Sequence, residues 1–336
     1  MEIVLTGRGG PEKLRVEDTD SAGPGKGEVR VRVLASGVSF AEVQMLGHRY
    51  PMQPKYPFVP GYDFVGEVTT VGPEVSGVAV GDRVAAMLGT GAWRTHVVVS
   101  ADRVVPVPAE LDSGLAAAAT MNGVTAWQMV HEVTRVRPGQ TVLVHGASGG
   151  VGTLLVQLAV AAGARVLGTA SLPKHDAVRA LGAEPIDYRQ DVVAAVRSAV
   201  PEGVDAVFDH LGGKSLRQSY ALLADGGVLV NYGSASTLRE NNHWAVPYLR
   251  TMRTYAGWWL GRVLGRARGR RAKFYYVKAG PGFNQALTEV YALVAAGKLT
   301  PSIETRLPLA EAATGLRMLL DGKVTGKVVL EASQQS

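Results

Sequence analysis

The sequence predicts an α/β protein in two parts, a β-rich N-terminal region followed by a doubly wound parallel-sheet domain. Three observations predict it. The first 110 residues break into short strand-like runs between glycine and proline clusters. From residue 141 on, short apolar, β-branched runs alternate with helical stretches, the pattern of right-handed βαβ crossovers. A glycine-rich turn lies between the first such run and the helix after it.

The N-terminal strands come first. Residues 28–39 (EVRVRVLASGVS) open with alternating polar and apolar positions, as a half-buried strand should. Further runs at 64–71, 83–87 and 95–99 are separated by Gly23-Pro24-Gly25 and Gly72-Pro73. Short strands with such turn signals suggest a small barrel or sandwich.

The texture changes near residue 112. An Ala-rich helix is expected over 115–121, then a strand at 141–144 (TVLV) buried on both faces. An apolar helix over 151–162 follows, closed by Gly163. The alternation continues with strands at 164–169, 184–187, 204–209 and 228–232, and helices at 174–181, 192–200 and 215–223. Helices at 283–296 and 309–320 and a strand at 327–330 complete the chain, and 332–336 read as a disordered tail.

The turn itself reads His145-Gly146-Ala147-Ser148-Gly149-Gly150-Val151-Gly152. Glycines let backbone approach a pyrophosphate, and the helix N-terminus adds unpaired N–H groups and a positive dipole end. The context of strand, turn and helix makes this a dinucleotide-binding (Rossmann) signal, although Ala147 stands at the first glycine position. Ala147, Ser148, Gly149, Gly150 and Val151 are therefore cofactor-binding candidates. The second strand ends Gly168-Thr169-Ala170-Ser171-Leu172-Pro173-Lys174, without the carboxylate that would accept from a ribose 2′-hydroxyl. Ser171 can donate to a 2′-phosphate and Lys174 can pair with its charge, so NADPH is the expected cofactor.

Composition bounds the function. The chain has 336 residues, 46% hydrophobic and 19% charged, and no cysteine. Disulfides and every cysteine-based zinc or iron–sulfur site are thereby excluded. No apolar run follows a basic N-terminal region, and no window approaches the ~18 apolar residues of a membrane span; a cytoplasmic protein is expected. Net charge is +6, but residues 239–278 hold ten Arg or Lys and one Glu, leaving the rest of the chain at −3. Within that segment, 255–273 reads YAGWWLGRVLGRARGRRAK. Such a basic, aromatic stretch suits a lid over a large apolar substrate, a subunit contact, a solvated basic face over a core-packed Trp pair, or contact with an anionic membrane. No element resembles a base-reading helix, so nucleic acid is not an expected partner.

Several pieces together resemble the quinone oxidoreductase (zeta-crystallin-like) branch of the medium-chain dehydrogenases/reductases. They are ASGVSFAEVQMLGHRYP (35–51), PFVPGYDFVGEVTTVG (57–72), VGDRVAAM (80–87), AAAATMNGVTAW (116–127), VRPGQTVLVHGASGGVG (136–152), LGAEPIDYR (181–189) and TGKVVL (325–330). GVSFAEVQ (37–44) also resembles, more loosely, the branch of the synaptic vesicle amine transport protein. The resemblance implies a GroES-like domain, from 1–118 and 300–336, and a Rossmann domain from 119–299. It implies that Tyr188 helps bind the 2′-phosphate beside Ser171 and Lys174. Thr125 would lie near the nicotinamide side, and Gly233 and Ser234 beside the ring. A homodimer is common in such proteins.

Zinc-dependent relatives place a Cys, then a His-Glu pair, at positions matching Ser39 and Tyr62-Asp63 here. A catalytic zinc needs three good protein ligands, and serine and tyrosine are poor ones, so no metal is expected. Without a Lewis acid, alcohol–carbonyl interconversion loses its means of stabilising an alkoxide. Hydride delivery to a quinone, or to the C=C of an α,β-unsaturated carbonyl, spreads the charge onto an oxygen that polar donors stabilise. Tyr50, Tyr62 and Ser39 are the catalytic candidates. Two alternatives stand beside this reading: an enoyl-reductase-type tailoring enzyme acting on a bulky intermediate, and an NADPH-binding protein that works at a membrane or with a partner.

Overall fold

The computed structural model describes residues 1–19, 22–240 and 242–332; all but the first residue of the tail expected at 332–336 lies outside them. The chain forms two compact units, Met1–Val124 with Val277–Ser336, and Thr125–Tyr276.

The first unit is built on β1 (Glu2–Leu5), β2 (Leu14–Glu17), β3 (Glu28–Val38), α1 (Phe40–Leu46), β4 (Asp63–Val71), β5 (Arg83–Met87), β6 (His96–Ser100) and β7 (Val105–Pro106). β1 and β2 pair by themselves. β3 is the spine of the larger sheet and pairs antiparallel with both β4 and β6. Its alternation does what the sequence pattern requires: Val29, Val31, Val33 and Ala35 are buried, and they pack with Phe64, Val68, Val84, Val97 and Val99 into one core. The helix α2 (Ser113–Trp127) follows.

The second unit alternates strictly. It comprises β8 (Thr141–Val144), α3 (Gly150–Ala161), β9 (Arg165–Ala170), α4 (His175–Ala180), β10 (Glu184–Asp187), α5 (Val192–Ala199), β11 (Val204–Asp209), α6 (Lys214–Ala221), β12 (Leu223–Asn231), α7 (Ala245–Val263) and β13 (Arg271–Phe274). All six strands are parallel, in the order β10-β9-β8-β11-β12-β13. Chain order reverses between β8 and β11, and ligands bind at such switch points, outside the carboxyl ends of the strands. Val142, Leu143 and Val144 are fully buried, as a central parallel strand covered on both faces demands.

The chain then returns to the first unit through α8 (Pro281–Ala295), β14 (Ile303–Pro308), α9 (Ala312–Leu320) and β15 (Lys327–Glu331). β15 pairs antiparallel with β3 and parallel with β14, completing a seven-stranded sheet.

Three features differ from the sequence reading. Residues 277–299, expected with the dinucleotide domain, belong to the first unit. There the Tyr291 hydroxyl lies 2.9 Å from Thr120 Oγ1, and Gly123 has no room for a Cβ against Val290. The basic segment forms the 19-residue helix α7 and the edge strand β13. Its Trp pair is divided: Trp258 stacks on Tyr220 at 4.3 Å between centroids, whereas Trp259 is 66% exposed. Adjacent helical residues point about 100° apart, so one helix face cannot bury both. Among the described residues, no helix is long and apolar enough to cross a membrane.

Candidate functional site

The phosphate loop is held from both sides of the switch point. The Ala147 amide donates to the Thr169 carbonyl at 2.9 Å, and the Gly146 amide to Thr169 Oγ1 at 3.1 Å. α3 starts at Gly150, with Gly149 in extended conformation before it. Gly152 lies so close to Gly146 that a Cβ would stand 2.0 Å from the Gly146 carbonyl oxygen. This glycine therefore sets how tightly the helix N-terminus meets the loop. Ala147 and Ser148 are buried, and Val151 is half-buried.

A second layer under the loop carries no sequence motif. Asp209, at the end of β11, is fully buried. Its carboxylate accepts from the Leu211 and Gly212 amides at 2.8 and 3.0 Å and from the Ser215 and Ser219 hydroxyls at 2.7 and 2.8 Å. Ser219 Oγ in turn lies 3.0 Å from His145 Nε2. Burial holds the His145 imidazole below the ordinary histidine range, so it bridges as a neutral ring. The next residue, His210, has its Nδ1 buried without a hydrogen-bond partner among the described residues. Its ring fills the space beside Gly146, and its backbone lies against Gly233. His210 is a site residue that sequence reasoning missed. Its one available signal was its position directly after the fourth strand of the alternation.

Gly233 and Ser234 follow β12. Asn231 Nδ2 donates to the Gly233 carbonyl at 2.7 Å and to the Asp209 carbonyl at 3.1 Å. Ser234 Oγ lies 3.2 Å from the Tyr248 hydroxyl, which ties the start of α7 to the end of β12. Thr125 is buried in α2. Its side chain hydrogen-bonds to Tyr275, whose phenol burial pushes above the ordinary tyrosine range.

Ser171 and Tyr188 come together because β9 and β10 run parallel with Ala170 opposite Asp187. Each lies just past the end of its strand, and the Tyr188 amide donates to the Ala170 carbonyl at 3.3 Å. Lys174 ends the 3₁₀ turn that begins at Leu172. Tyr188 is 53% exposed, and Arg189 lies 5.9 Å from its ring centroid. The guanidinium adds a second cation beside Lys174's end of the sheet, within a piece the sequence reading used only for its tyrosine. Two cations, two hydroxyls and no carboxylate at the end of β9 suit a dianion better than a ribose hydroxyl.

The catalytic candidates form a separate cluster in the first unit. Tyr50 and Tyr62 are both buried. Their hydroxyls share a short hydrogen bond, with the rings edge to face at 6.3 Å. Ser39 is the N-cap residue of α1; its amide donates to Glu42 Oε2 at 2.8 Å, and its Oγ accepts from Lys327 Nζ at 2.8 Å. Asp63 accepts from the Gly37 amide at 3.3 Å through Oδ1 and from the Met121 amide at 2.9 Å through Oδ2. Burial raises its carboxyl above the usual range, against the opposing pull of Lys327. Glu42 and Lys327 were not singled out from the sequence.

These donors do not fit a zinc ion. An ammonium already occupies the Ser39 hydroxyl, the Tyr62 hydroxyl is engaged with another phenol, and both Asp63 oxygens hold backbone amides. A divalent cation there would meet the Lys327 ammonium and oxygens already engaged in hydrogen bonds.

Comparison with known proteins shows the family. Residues 25–109 match the alcohol dehydrogenase GroES-like domain, and residues 181–330 match the zinc-binding dehydrogenase family. The chain is 34% identical to the synaptic vesicle membrane protein VAT-1 homolog of Danio rerio, over 98% of this chain and 69% of that protein. The chain belongs to the medium-chain dehydrogenase/reductase family. As a member of it, the protein is an oxidoreductase. The crystal structure of Escherichia coli quinone oxidoreductase complexed with NADPH superposes with a TM-score of 0.86 at 25% identity, covering 98% of this chain and 99% of that one. The phthioceranic/hydroxyphthioceranic acid synthase of Mycobacterium tuberculosis is 34% identical over 93% of this chain, but the match spans 14% of that much longer protein.

Proposed function

We propose that the protein is an NADPH-dependent reductase that delivers hydride to a quinone, or to the C=C bond of an α,β-unsaturated carbonyl compound, without zinc. The observations that carry the reading are the cationic and hydroxyl groups past β9 and β10 and, in the first unit, a donor cluster at Ser39 whose oxygens are already engaged by an ammonium, a phenol and backbone amides. Ser171, Lys174, Tyr188 and Arg189 hold the 2′-phosphate. The amides of residues 147–151 and the N-terminus of α3 hold the pyrophosphate. Thr125, Gly233 and Ser234 line the nicotinamide. NADPH supplies the hydride and its electron pair.

Hydride addition to the β-carbon pushes the C=C electrons onto the carbonyl oxygen, and a proton then arrives at the α-carbon. The residues of this chain serve the oxygen. Tyr50, Tyr62 and Ser39 offer hydroxyl donors to the enolate or hydroquinone anion. The similarity to a quinone oxidoreductase crystallised with NADPH supports the cofactor and the substrate class.

The test is NADPH oxidation with a panel of quinones and enones, with and without chelator and with NADH in parallel. Chelator-resistant turnover with NADH much poorer is the expected result. Turnover that chelator abolishes, or NADH equal to NADPH, overturns it.

The helix α7 favours a second, more specialised reading. Leu249, Met252, Trp259, Leu260 and Val263 are exposed along it, with Arg250, Arg253 and Arg262 interleaved. A surface of this kind is a contact for a second subunit, for a bulky apolar biosynthetic intermediate, or for an anionic membrane. Charge reversal at Arg253 and Arg262 separates these readings. Loss of liposome binding at full turnover supports the membrane role, a raised KM the substrate role, and a change in sedimentation the subunit role.

A further inference from the structure

Lys327 is 3% exposed, and a buried ammonium is costly unless partners hold it. It opens β15 one residue beyond the Val328–Val38 pair of the β15–β3 ladder, which brings it to Ser39 across 288 positions of sequence. The side chain crosses over Gly37: a Cβ there would stand 2.2 Å from Lys327 Cε and 2.7 Å from Nζ. Gly37 therefore leaves open the slot through which the ammonium reaches the serine. Asp63, fully buried, faces the same slot, its Oδ1 lying 3.3 Å from where that Cβ would be. Glu42, also buried, reaches the same N-cap through the Ser39 amide, and its second oxygen has no partner among the described residues.

The hydrogen-bond polarity follows from chemistry. An ammonium only donates, so Ser39 Oγ must accept from Lys327. Its own hydrogen is then directed elsewhere, and the charge-assisted bond polarises that O–H. We propose that Lys327 is a positioning residue that fixes the Ser39 hydroxyl as a hydrogen-bond donor to the oxygen on which negative charge develops during reduction. The inference rests on the reading above in one respect, that Ser39 faces the substrate. Lys327 acts through Ser39 and lends the donor its positive field, doing with an ammonium and a hydroxyl what zinc-dependent relatives do with a metal. Asp63 balances the buried charge. Burial raises both carboxyls, Glu42 to about 7, and the Lys327 ammonium pulls each back toward its charged form.

The test uses 4-nitrophenol as an oxyanion probe, titrated into the full-length protein saturated with NADP⁺ and followed by the visible absorption of the phenolate. The wild-type complex is expected to bind phenolate about tenfold better than phenol or more, as one charge-assisted bond allows. Ser39→Ala and Lys327→Met should each remove that preference, and the double variant should lose nothing further. Lys327→Arg should restore part of it. In turnover, Ser39→Ala should lower kcat ~100-fold, the size of a lost oxyanion donor, with the KM for NADPH unchanged. Absence of phenolate preference in the wild-type complex, or its retention in Ser39→Ala, overturns the proposal; so do additive effects of the two substitutions. Ser39→Ala keeps the test decisive if Lys327→Met does not fold. Phenolate preference without turnover on any quinone or enone supports this inference and counts against the proposed substrate class instead.

Discussion

The indole of Trp258 stacks on the phenol of Tyr220, centroids 4.3 Å apart and planes within 14°, and this contact docks α7 against α6 within the second unit. Tyr255 meets the same indole edge-on at 5.3 Å. Trp258→Ala should therefore destabilise the protein by about 2–4 kcal/mol, the range for truncating a packed aromatic that retains some exposure. Trp259→Ala, one residue on and exposed, should stay within about 0.5 kcal/mol of wild type. Urea unfolding of the two variants checks this; equal losses would contradict the division of the pair.

Cofactor choice is predicted to reside past β9 and β10. Lys174→Ala and Tyr188→Phe should weaken NADPH by about 1.5–3 kcal/mol each, the range for a hydrogen bond to a charged group, and leave NADH nearly untouched. Arg189→Ala should act in the same direction. Calorimetric titration with both cofactors decides it, and equal weakening of both would remove these residues from the 2′-phosphate site.

Gly152→Ala should disrupt the loop. Its new methyl would meet backbone, the Gly146 carbonyl oxygen, at 2.0 Å, and backbone yields less readily than a side-chain tip. A cost of about 1–3 kcal/mol in stability is expected, with NADPH affinity down at least tenfold. Thermal unfolding and cofactor fluorescence report the two effects separately.

Glu42 predicts a pH dependence. Its carboxyl is raised from 4.5 to about 7 in the folded protein by burial, so between those values the folded state holds a proton that the unfolded state has released. Stability from this group is therefore fully present below the unfolded value and declines as pH rises toward and past about 7. Glu42→Gln keeps an oxygen for the Ser39 amide and removes the titration. It should match wild type near pH 4 and be more stable near pH 8, by up to ~3 kcal/mol at one pKa unit per 1.36 kcal/mol. An unchanged difference across that range, measured by denaturant unfolding, would show that Glu42 titrates normally.

Local signals determined much of this protein. The βαβ alternation from residue 141, the turn at 146–152 and the missing carboxylate after the second strand are short-range patterns, and the expected strands became parallel strands in the expected places, with β8 and β11 buried and the edge strand β10 only partly so. α7 was not legible as a helix, because 239–278 mixes Arg, Gly and Trp without a clean apolar period. The Trp pair likewise gave no hint that one ring packs and the other stays in water. Tertiary structure alone decided the charge cluster. Glu42 reads in sequence as an ordinary helix-start acid and Lys327 as a solvent-facing lysine at a strand end. Only the pairing of β15 with β3 buries both around Ser39. The same holds for Asp209, His145 and His210, which meet only because β8 and β11 are neighbours across the switch point. Periodicity and glycine spacing record what a segment does with its own backbone. They do not record which distant side chain removes it from water, and that sets the charge, the hydrogen-bond polarity and the chemistry of the site.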